Sequence, residues 1–453
     1  MKRGQSFSAN QGASCVLRAF GVLLSAAAVL PVWALDFDQA YRAASENDAT
    51  IRAARSAADA GRERLPQARA QQLPNVSLSA GRTHNDLTSK TLGQPETRGN
   101  QYYSGSQALS VRQPIYRPLI NASVRQAQAQ VEDAEAALER DEQALVTRVA
   151  EAYFDALLAR DQLSLVTAQK KTYTTQVDAA RKGFASGSGT RTDVDEAQAR
   201  LDLTLAQELE AQQNVEFTHR RLAVITGSEV DALAVLDVAR FSPSTPVPAS
   251  LDAWVERAER ASPELVSLRA QVEAARLEID KAQAGHKPTL DVVAQWSRTN
   301  SDSVTSVNSR YDNKTIGLQL SVPLYSGGYV SSTVRQAVAA HDRARELLEA
   351  ARRDLGVRVH REFRGVTEGV LRVAALEQAV RSADQALLSN QMSFKAGMRT
   401  SLDVLNAEQQ RTLALRDLAQ ARYVYMLSSL RLESLAGEDR ESIVAKVNRW
   451  LVP

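Results

Sequence analysis

The chain has 453 residues, with 55 Lys and Arg against 53 Asp and Glu, for a formal charge of +2. This balance excludes the strong basic excess on which nucleic-acid binding depends, so no nucleic acid is expected as a partner. Aromatic residues make up only 5%, while Ala, Gln, Arg, Glu and Leu abound, a composition suited to long helices joined by narrow seams rather than to a compact enzyme core.

Residues 1–34 read as an export signal. Lys2, Arg3 and Arg18 precede an apolar run from Ala19 to Leu30, and Pro31-Val32-Trp33-Ala34 offers a small residue for cleavage before Leu35. The run is too short for a permanent span, and nothing later approaches the roughly 20 apolar residues that one requires. Losing Lys2, Arg3 and Arg18 takes the formal charge from +2 to −1. Cys15, the only cysteine, would leave with the leader, so the mature chain is expected to lack a disulfide, a thiol nucleophile and an N-terminal lipid anchor.

Asp38 to about Ala70 reads as helix and stops at Leu73-Pro74-Asn75. Val76, Leu78 and Ala80 then alternate with Ser77 and Ser79 as in a strand, Thr83 to Asn100 reads as a polar loop, and Tyr103 to Ile115 as a second strand. After Pro118 no Gly or Pro occurs until Gly183, and at 1.5 Å per residue that run extends about 100 Å. Its larger apolar residues, Leu138, Leu145, Val149, Tyr153, Leu163, Val166, Tyr173 and Val177, recur mostly at three, four or seven, the spacing of a coiled-coil seam. A second helix from about Asp193 to Thr226 ends at Gly227. Asp231 to Ser250, with Pro243, Pro246 and Pro248, reads as a connector, residues 241–250 being the linker proper.

The same succession then returns: a helix from Leu251 to Ala284, alternation at Leu290, Val292, Ala294 and Trp296, a polar loop from Arg298 to Thr315, and a clean alternation from Ile316 to Leu324. Another long helix follows Gly327-Gly328, weakened in its middle by Gly356, Gly365 and Gly369, and a last one ends near Gly437. Residues 438–453 read as a C-terminal tail.

Two stretches tie the halves together. Phe184 to Arg200 (FASGSGTRTDVDEAQAR) and Phe394 to Gln410 (FKAGMRTSLDVLNAEQQ) align without a gap. Each reads as a helix ending on Gly187 or Gly397, a reversal, and a capping box, Thr190/Asp193 or Thr400/Asp403, that opens the next helix. Two hairpin tips imply a two-fold internal repeat, 35–240 and 251–437. The repeat units contain strand pairs 75–116 and 289–325 and helical hairpins 118–226 and 329–436. Four strands cannot close a barrel and open edges are not tolerated in lipid, so several chains must share one. Two chains would give eight strands with a filled interior; three give twelve and leave a channel. The expected fold is mainly α with a membrane β-barrel: a trimeric 12-stranded β-barrel continued by a 12-helix α-barrel.

The tip GMRTSLDVLNAEQQ, the following LAQARYVYMLSSLRLESLAG, the strand end SVPLYSGG and the repeat resemble TolC-type outer-membrane channel proteins over essentially the whole mature length. The resemblance implies a homotrimer set in outer-membrane lipid, with a periplasmic extension narrowed at the helical tips. It implies partners too: a periplasmic adaptor protein, docked at tips marked by Gly187, Thr190, Gly397 and Thr400, an inner-membrane transporter of the ABC type, and an exported protein substrate. Carried over onto this sequence, Arg399 and Asp403 would close the entrance, with Asn406 and Gln410 on the same helix face and Thr192, Asp193 and Phe394 as contacts between neighbouring hairpins. Asn406 departs from a second acidic residue in the family's best-known member, and Phe394 from a Tyr, so the entrance is expected to be less cation-selective and closed by different contacts.

The non-lipidated start and the tip are more similar to the branch serving ATP-driven, one-step protein secretion, as of RTX-type toxins, than to the lipoprotein drug-efflux branch. Small-molecule efflux is the alternative within the family, and a periplasmic coiled-coil scaffold without a pore the alternative outside it. The residues alone also allow Asp403 to be only a helix cap and Arg399–Asp403 only an exposed intrahelical pair. The five histidines show no metal-ligand spacing, and Gly187-Ser188-Gly189 lacks the Lys of a phosphate loop. No enzyme activity, cofactor or metal is expected.

Overall fold

A computed structural model of the chain describes residues 34–89, 92–93, 97–301 and 309–452. The export signal expected over 1–34 lies outside the described residues except for Ala34, as do parts of the two strand-to-strand connections. In order come α1 (Phe37–Asn47), α2 (Ala49–Arg62), α3 (Arg64–Ala70), β1 (Asn75–Ser89), β2 (Thr97–Tyr116), α4 (Pro118–Ala185), α5 (Arg191–Thr226) and β3 (Val235–Leu236). They are followed by α6 (Leu251–Ala261), α7 (Pro263–Gln283), a 3-10 turn (Ala284–His286), β4 (Thr289–Ser301), β5 (Ser309–Ser321), α8 (Tyr329–Lys395), α9 (Ser401–Leu435), α10 (Arg440–Asn448) and β6 (Leu451–Val452). Short helices, a strand pair and a long hairpin thus occur twice in the same order. The long arms α4 and α8 have 68 and 67 residues, the returning α5 and α9 have 36 and 35.

The helices expected to run unbroken over Asp38–Ala70 and Leu251–Ala284 are each interrupted by a cap. Asp48 is extended and its carboxylate accepts the Thr50 and Ile51 N–H groups at 2.7 and 3.0 Å; Ser262 is extended and accepts the Leu265 N–H at 3.4 Å. Both residue types pass inside a helical sequence, so propensity summed over a window hides the break. At each break a returning helix arrives end on. Asn47 donates from its side chain to Thr226 O at 3.0 Å, and Gly227, at φ 73°, is so near that an added Cβ would lie 2.7 Å from Asn47 Cβ. Gly437, at φ 75°, meets Ala261 in the same way.

The polar loops expected over Thr83–Asn100 and Arg298–Thr315 are largely strand. Leu87 pairs with Asn100, and the β4–β5 ladder runs past Arg298↔Asp312 to Ser301↔Ser309. Apolar alternation ends where both faces are polar, but the ladder is made by backbone groups whatever the side chains are. All neighbours in the order β1-β2-β4-β5 are antiparallel, with β1 and β5 at the edges.

Leu145, Val149, Tyr153, Tyr173 and Val177 of the expected seam are buried on α4. The core centres on a chain of rings, Phe37, Tyr153, Phe154 and Tyr423, with neighbouring centroids 5.7–6.3 Å apart. The buried Tyr153 hydroxyl, its pKa pushed up by burial, lies 2.9 Å from Leu35 O and 3.1 Å from Ala234 O. Tyr423 on α9 donates to Asp161 on α4 at 2.7 Å, linking the halves. Of residues 438–453, expected as a tail, the described residues 438–452 instead build part of the core. Within them α10 buries Ile443, Val444 and Val447, β6 pairs with β3, and Trp450 packs on Phe241 and Tyr425. This short segment gains structure only through contacts with distant parts of the chain, which no local period announces.

The glycines expected to weaken α8 leave it continuous. An added Cβ at Gly365 would lie 2.6 Å from Ser428 Oγ, and at Gly369 3.1 Å from Tyr425, so these two positions admit the close approach of α9.

Candidate functional site: the hairpin tips and the sheet

The two tips have the same backbone construction. Gly187 and Gly397 take φ of 74° and 73°, the left-handed conformation that ends each long arm without a Cβ penalty. Thr190 N–H donates to Asp193 Oδ2 at 2.9 Å while Asp193 N–H returns to Thr190 Oγ1 at 3.2 Å; Thr400 and Asp403 repeat this at 2.9 and 3.3 Å. Both capping boxes read from the sequence are formed. The Asp403 carboxyl is held below the usual carboxylate range, first by the Thr400 N–H, then by the Thr400 hydroxyl, with Arg399 adding to them. It is therefore an anion at neutral pH.

Arg399, in the turn before α9 rather than on the helix, lies 3.6 Å from Asp403, so the pair expected as intrahelical bridges the turn and the first turn of α9. Within one chain it makes no bond to Thr192 or Asp193, and the Asp193 carboxylate serves its own cap. Phe394, Asn406 and Gln410 are exposed, as are Thr192, Gly187, Thr190, Gly397 and Thr400. The bond between hairpins falls elsewhere. Arg200 on α5 donates to Asn406 Oδ1 and to Gln409 Oε1, both at 2.8 Å. Arg200 was missed in the sequence, although it stands at the repeat position that Gln410 occupies in the second tip, and that charge difference was the available signal. Glu408, one turn further in from Asp403, is buried on α9. Burial raises its pKa, Arg411 opposes the rise and Asp384 adds to it.

At the other end of the hairpins the sheet has two unlike faces. Residues directly opposite in the ladders share a face. One carries Val76 and Leu78, Leu109 and Val111, Leu290, Val292, Ala294 and Trp296, and Ile316, Leu318 and Leu320. Many of these are exposed, Leu78 at 73% and Ile316 at 81%. The other face carries Ser77, Ser79, Ser106, Ser110, Gln295, Ser297, Thr315 and Gln319. Where sheet and helices meet, Arg117 before α4 grips the buried Asp291 of β4 with two bonds, at 2.8 and 2.5 Å. No described helix is long and apolar enough to cross a membrane. An exposed apolar band on one side of a polar-backed sheet is the pattern of a transmembrane β-barrel wall.

Comparison with known proteins agrees with this geometry. The family of outer membrane efflux proteins matches residues 40–228 and 254–438, one match in each half. The chain is 35% identical over 409 residues to the alkaline protease secretion protein AprF of Pseudomonas aeruginosa, covering 89% of this chain and 85% of that one. It is 34% identical to the outer membrane protein TolC of Vibrio cholerae, covering 96% and 97%. Among solved structures, the CmeC outer membrane channel of Campylobacter jejuni superposes with a TM-score of 0.77 at 14% identity, over 92% of this chain and 89% of that one, which shows a shared fold. The chain belongs to the outer membrane efflux protein family, and it is a protein of the outer membrane with its long helical hairpins as the periplasmic extension.

Proposed function

We propose that the chain forms a homotrimeric channel that exports proteins across the periplasm and outer membrane in a tripartite, ATP-driven system with a periplasmic adaptor and an ABC-type inner-membrane transporter. The observation that carries the channel is the sheet, apolar and exposed on one face, polar on the other, and open at β1 and β5. Open edges in lipid leave backbone groups unpaired, so the four strands must close with those of other chains, and three chains give a twelve-stranded wall wide enough for a pore. Exposed Leu203, Phe217 and Val224, spaced by multiples of seven on α5, support helix packing between chains. The likeness to AprF, an alkaline protease secretion protein by name, favours protein cargo. The family's description as efflux proteins favours the second reading, small-molecule export. The repeat units 35–240 and 251–437 are read as products of internal duplication.

At the tips, threefold symmetry would turn Asp403, Asn406 and Gln410 into rings at the entrance, the Asp403 ring focusing negative potential. Arg399, bound only to an exposed neighbour in the single chain, is free to reach Thr192 and Asp193 of an adjoining chain, beside Phe394. The exposed tips at Gly187, Thr190, Gly397 and Thr400 would receive the adaptor. In Pseudomonas aeruginosa cells lacking AprF, the chain should restore protease to the medium; restored drug resistance without protease would move the reading to efflux. In planar bilayers, Asp403→Ala should lower cation preference and Arg399→Ser should raise conductance. Parent-like behaviour of both would leave Asp403 as a helix cap.

A further inference from the structure

We propose that the apolar side of the sheet carries, just beyond its apolar band, a binding site for the phosphorylated saccharide headgroup of an outer-leaflet glycolipid, with Arg82 and Arg310 as its phosphate-binding cations. This rests on the reading that the strand ends remote from the helices point out of the cell. In the ladders Arg82 lies opposite Gly105, Gly105 opposite Asn300, and Asn300 opposite Arg310, so the four form one row across β1, β2, β4 and β5. They share the face of Leu78, Leu109 and Trp296, two rows further from the helices. A groove of about 500 Å³ opens there, lined among others by Arg82, Tyr103, Gln107, Arg298 and Asn300. Its floor is Gly105, where an added Cβ would meet nothing nearer than Gly81 O at 3.9 Å.

The charges of this region are unevenly matched. Arg298 is neutralised by Asp312 at 2.7 Å, and the Trp296 indole N–H donates to the same carboxylate at 2.8 Å. Asp86, the other described acid on this side, receives Gln101 Nε2 at 3.3 Å. Among the described residues no carboxylate lies within ion-pair distance of Arg82 or Arg310. Arg82 stacks over the Tyr103 ring at 4.8 Å from its centroid, and Arg310 Nε donates to Asn300 Oδ1 at 3.2 Å. Both contacts hold a guanidinium in place and leave most of its donor fork free for phosphate oxygens. Three strand spacings separate the two arginines, about 14 Å at the backbone, a span that a saccharide phosphorylated at both ends can bridge. Acyl chains of the same lipid would then lie along Leu78, Leu109 and Ile316, so one ligand satisfies both the cations and the apolar band. Solitary snorkelling arginines would attract any anionic lipid alike; a floor without a side chain between two placed cations favours a bulky, doubly phosphorylated one.

The test uses the full-length protein in mild detergent, titrated with bis-phosphorylated lipid A, dephosphorylated lipid A, phosphatidylglycerol and inorganic phosphate, with bound lipid read by native mass spectrometry. Bis-phosphorylated lipid A should bind about tenfold tighter or better than the dephosphorylated form or phosphatidylglycerol, and Arg82→Gln combined with Arg310→Gln should abolish that preference. The double variant should keep the parent's oligomeric mass and thermal stability, since neither side chain is buried. Equal binding of dephosphorylated lipid A or phosphatidylglycerol, tight binding of inorganic phosphate alone, or an unchanged double variant overturns the site. A tag inserted between Ser89 and Thr97 reads the orientation separately. If it is reachable on intact cells and the preference is absent, only the headgroup site fails; if it is reachable only after permeabilisation, the outward reading fails and the outer leaflet with it.

Discussion

The two hairpins share arm lengths and tip backbone, yet their returning helices bury different surfaces. On α5 only Ala197, Thr204, Thr218, Leu222 and Thr226 are buried, while Leu203, Leu209, Phe217 and Val224 remain exposed. On α9 the buried set includes Val404, Leu405, Leu418, Tyr423, Tyr425, Met426, Leu430 and Leu432. The difference traces to the partner helix and to position. Tyr423 lies against α4 of the other half, Tyr425 lies in the aromatic cluster with Phe241 and Trp450, and Gly365 and Gly369 let the α9 backbone close on α8. A repeated element therefore keeps its local geometry, set by caps and turns, while each copy is free to change what it packs against.

The largest effect is expected where α9 closes on α8. Gly365→Val places a branched side chain where even a Cβ would lie 2.6 Å from Ser428 Oγ, and it should cost about 1–3 kcal/mol by overpacking. Gly356, with nothing within 4 Å of an added Cβ, is the control; Gly356→Ala should stabilise by about 0.5–1 kcal/mol. Thermal unfolding of the pair checks both signs, and stabilisation by both substitutions would mean that helix propensity rather than close approach governs these glycines. A middle-sized effect tests whether the tips are interchangeable. Thr190→Ala and Thr400→Ala each remove a formed cap and should each cost about 1 kcal/mol locally. Hydrogen exchange at the starts of α5 and α9 should rise by similar factors, and a rise at one tip alone would mean that the other is held by tertiary contacts.

The smallest effect has no counterpart on α5. Burial raises the folded-state pKa of Glu408 above its ordinary 4.5, opposed by Arg411 and aided by Asp384, so ionisation disfavours the folded state at neutral pH. The protonated form is the favoured one, its contribution being complete below the unfolded pKa and lost as pH rises through the folded one. Glu408→Gln should therefore raise thermal stability at pH 7, with the gain shrinking as pH falls toward 4.5. A gain that is flat with pH would assign the effect to packing.

Much of this architecture was legible in the sequence. Gly187-to-Asp193 and Gly397-to-Asp403 fixed both tips, because a left-handed glycine and a capping box are satisfied within a few residues and need no distant partner. Period-two alternation placed the apolar strand segments, and the absence of Gly and Pro from 119 to 182 marked α4 nearly to its ends. The strands ran further than expected because polar ladders carry no apolar period. Of the tip residues proposed for the entrance, Arg399 and Asp403 with its capping box were legible in the sequence but the Arg200–Asn406 bond was not, since a contact between residues 206 apart leaves no spacing to read.

The sequence by itself determined the elements whose bonds close locally: the turns, the caps, the long helical periods and the two faces of each strand. Only the tertiary structure decided which copy of each repeated element would be buried, that residues 438–452 would join the core, and that Arg82 and Arg310 would flank an open Gly105. These outcomes depend on strand order and helix apposition, and contacts between distant segments are selected by shape and by the entropy of bringing them together rather than by any local pattern.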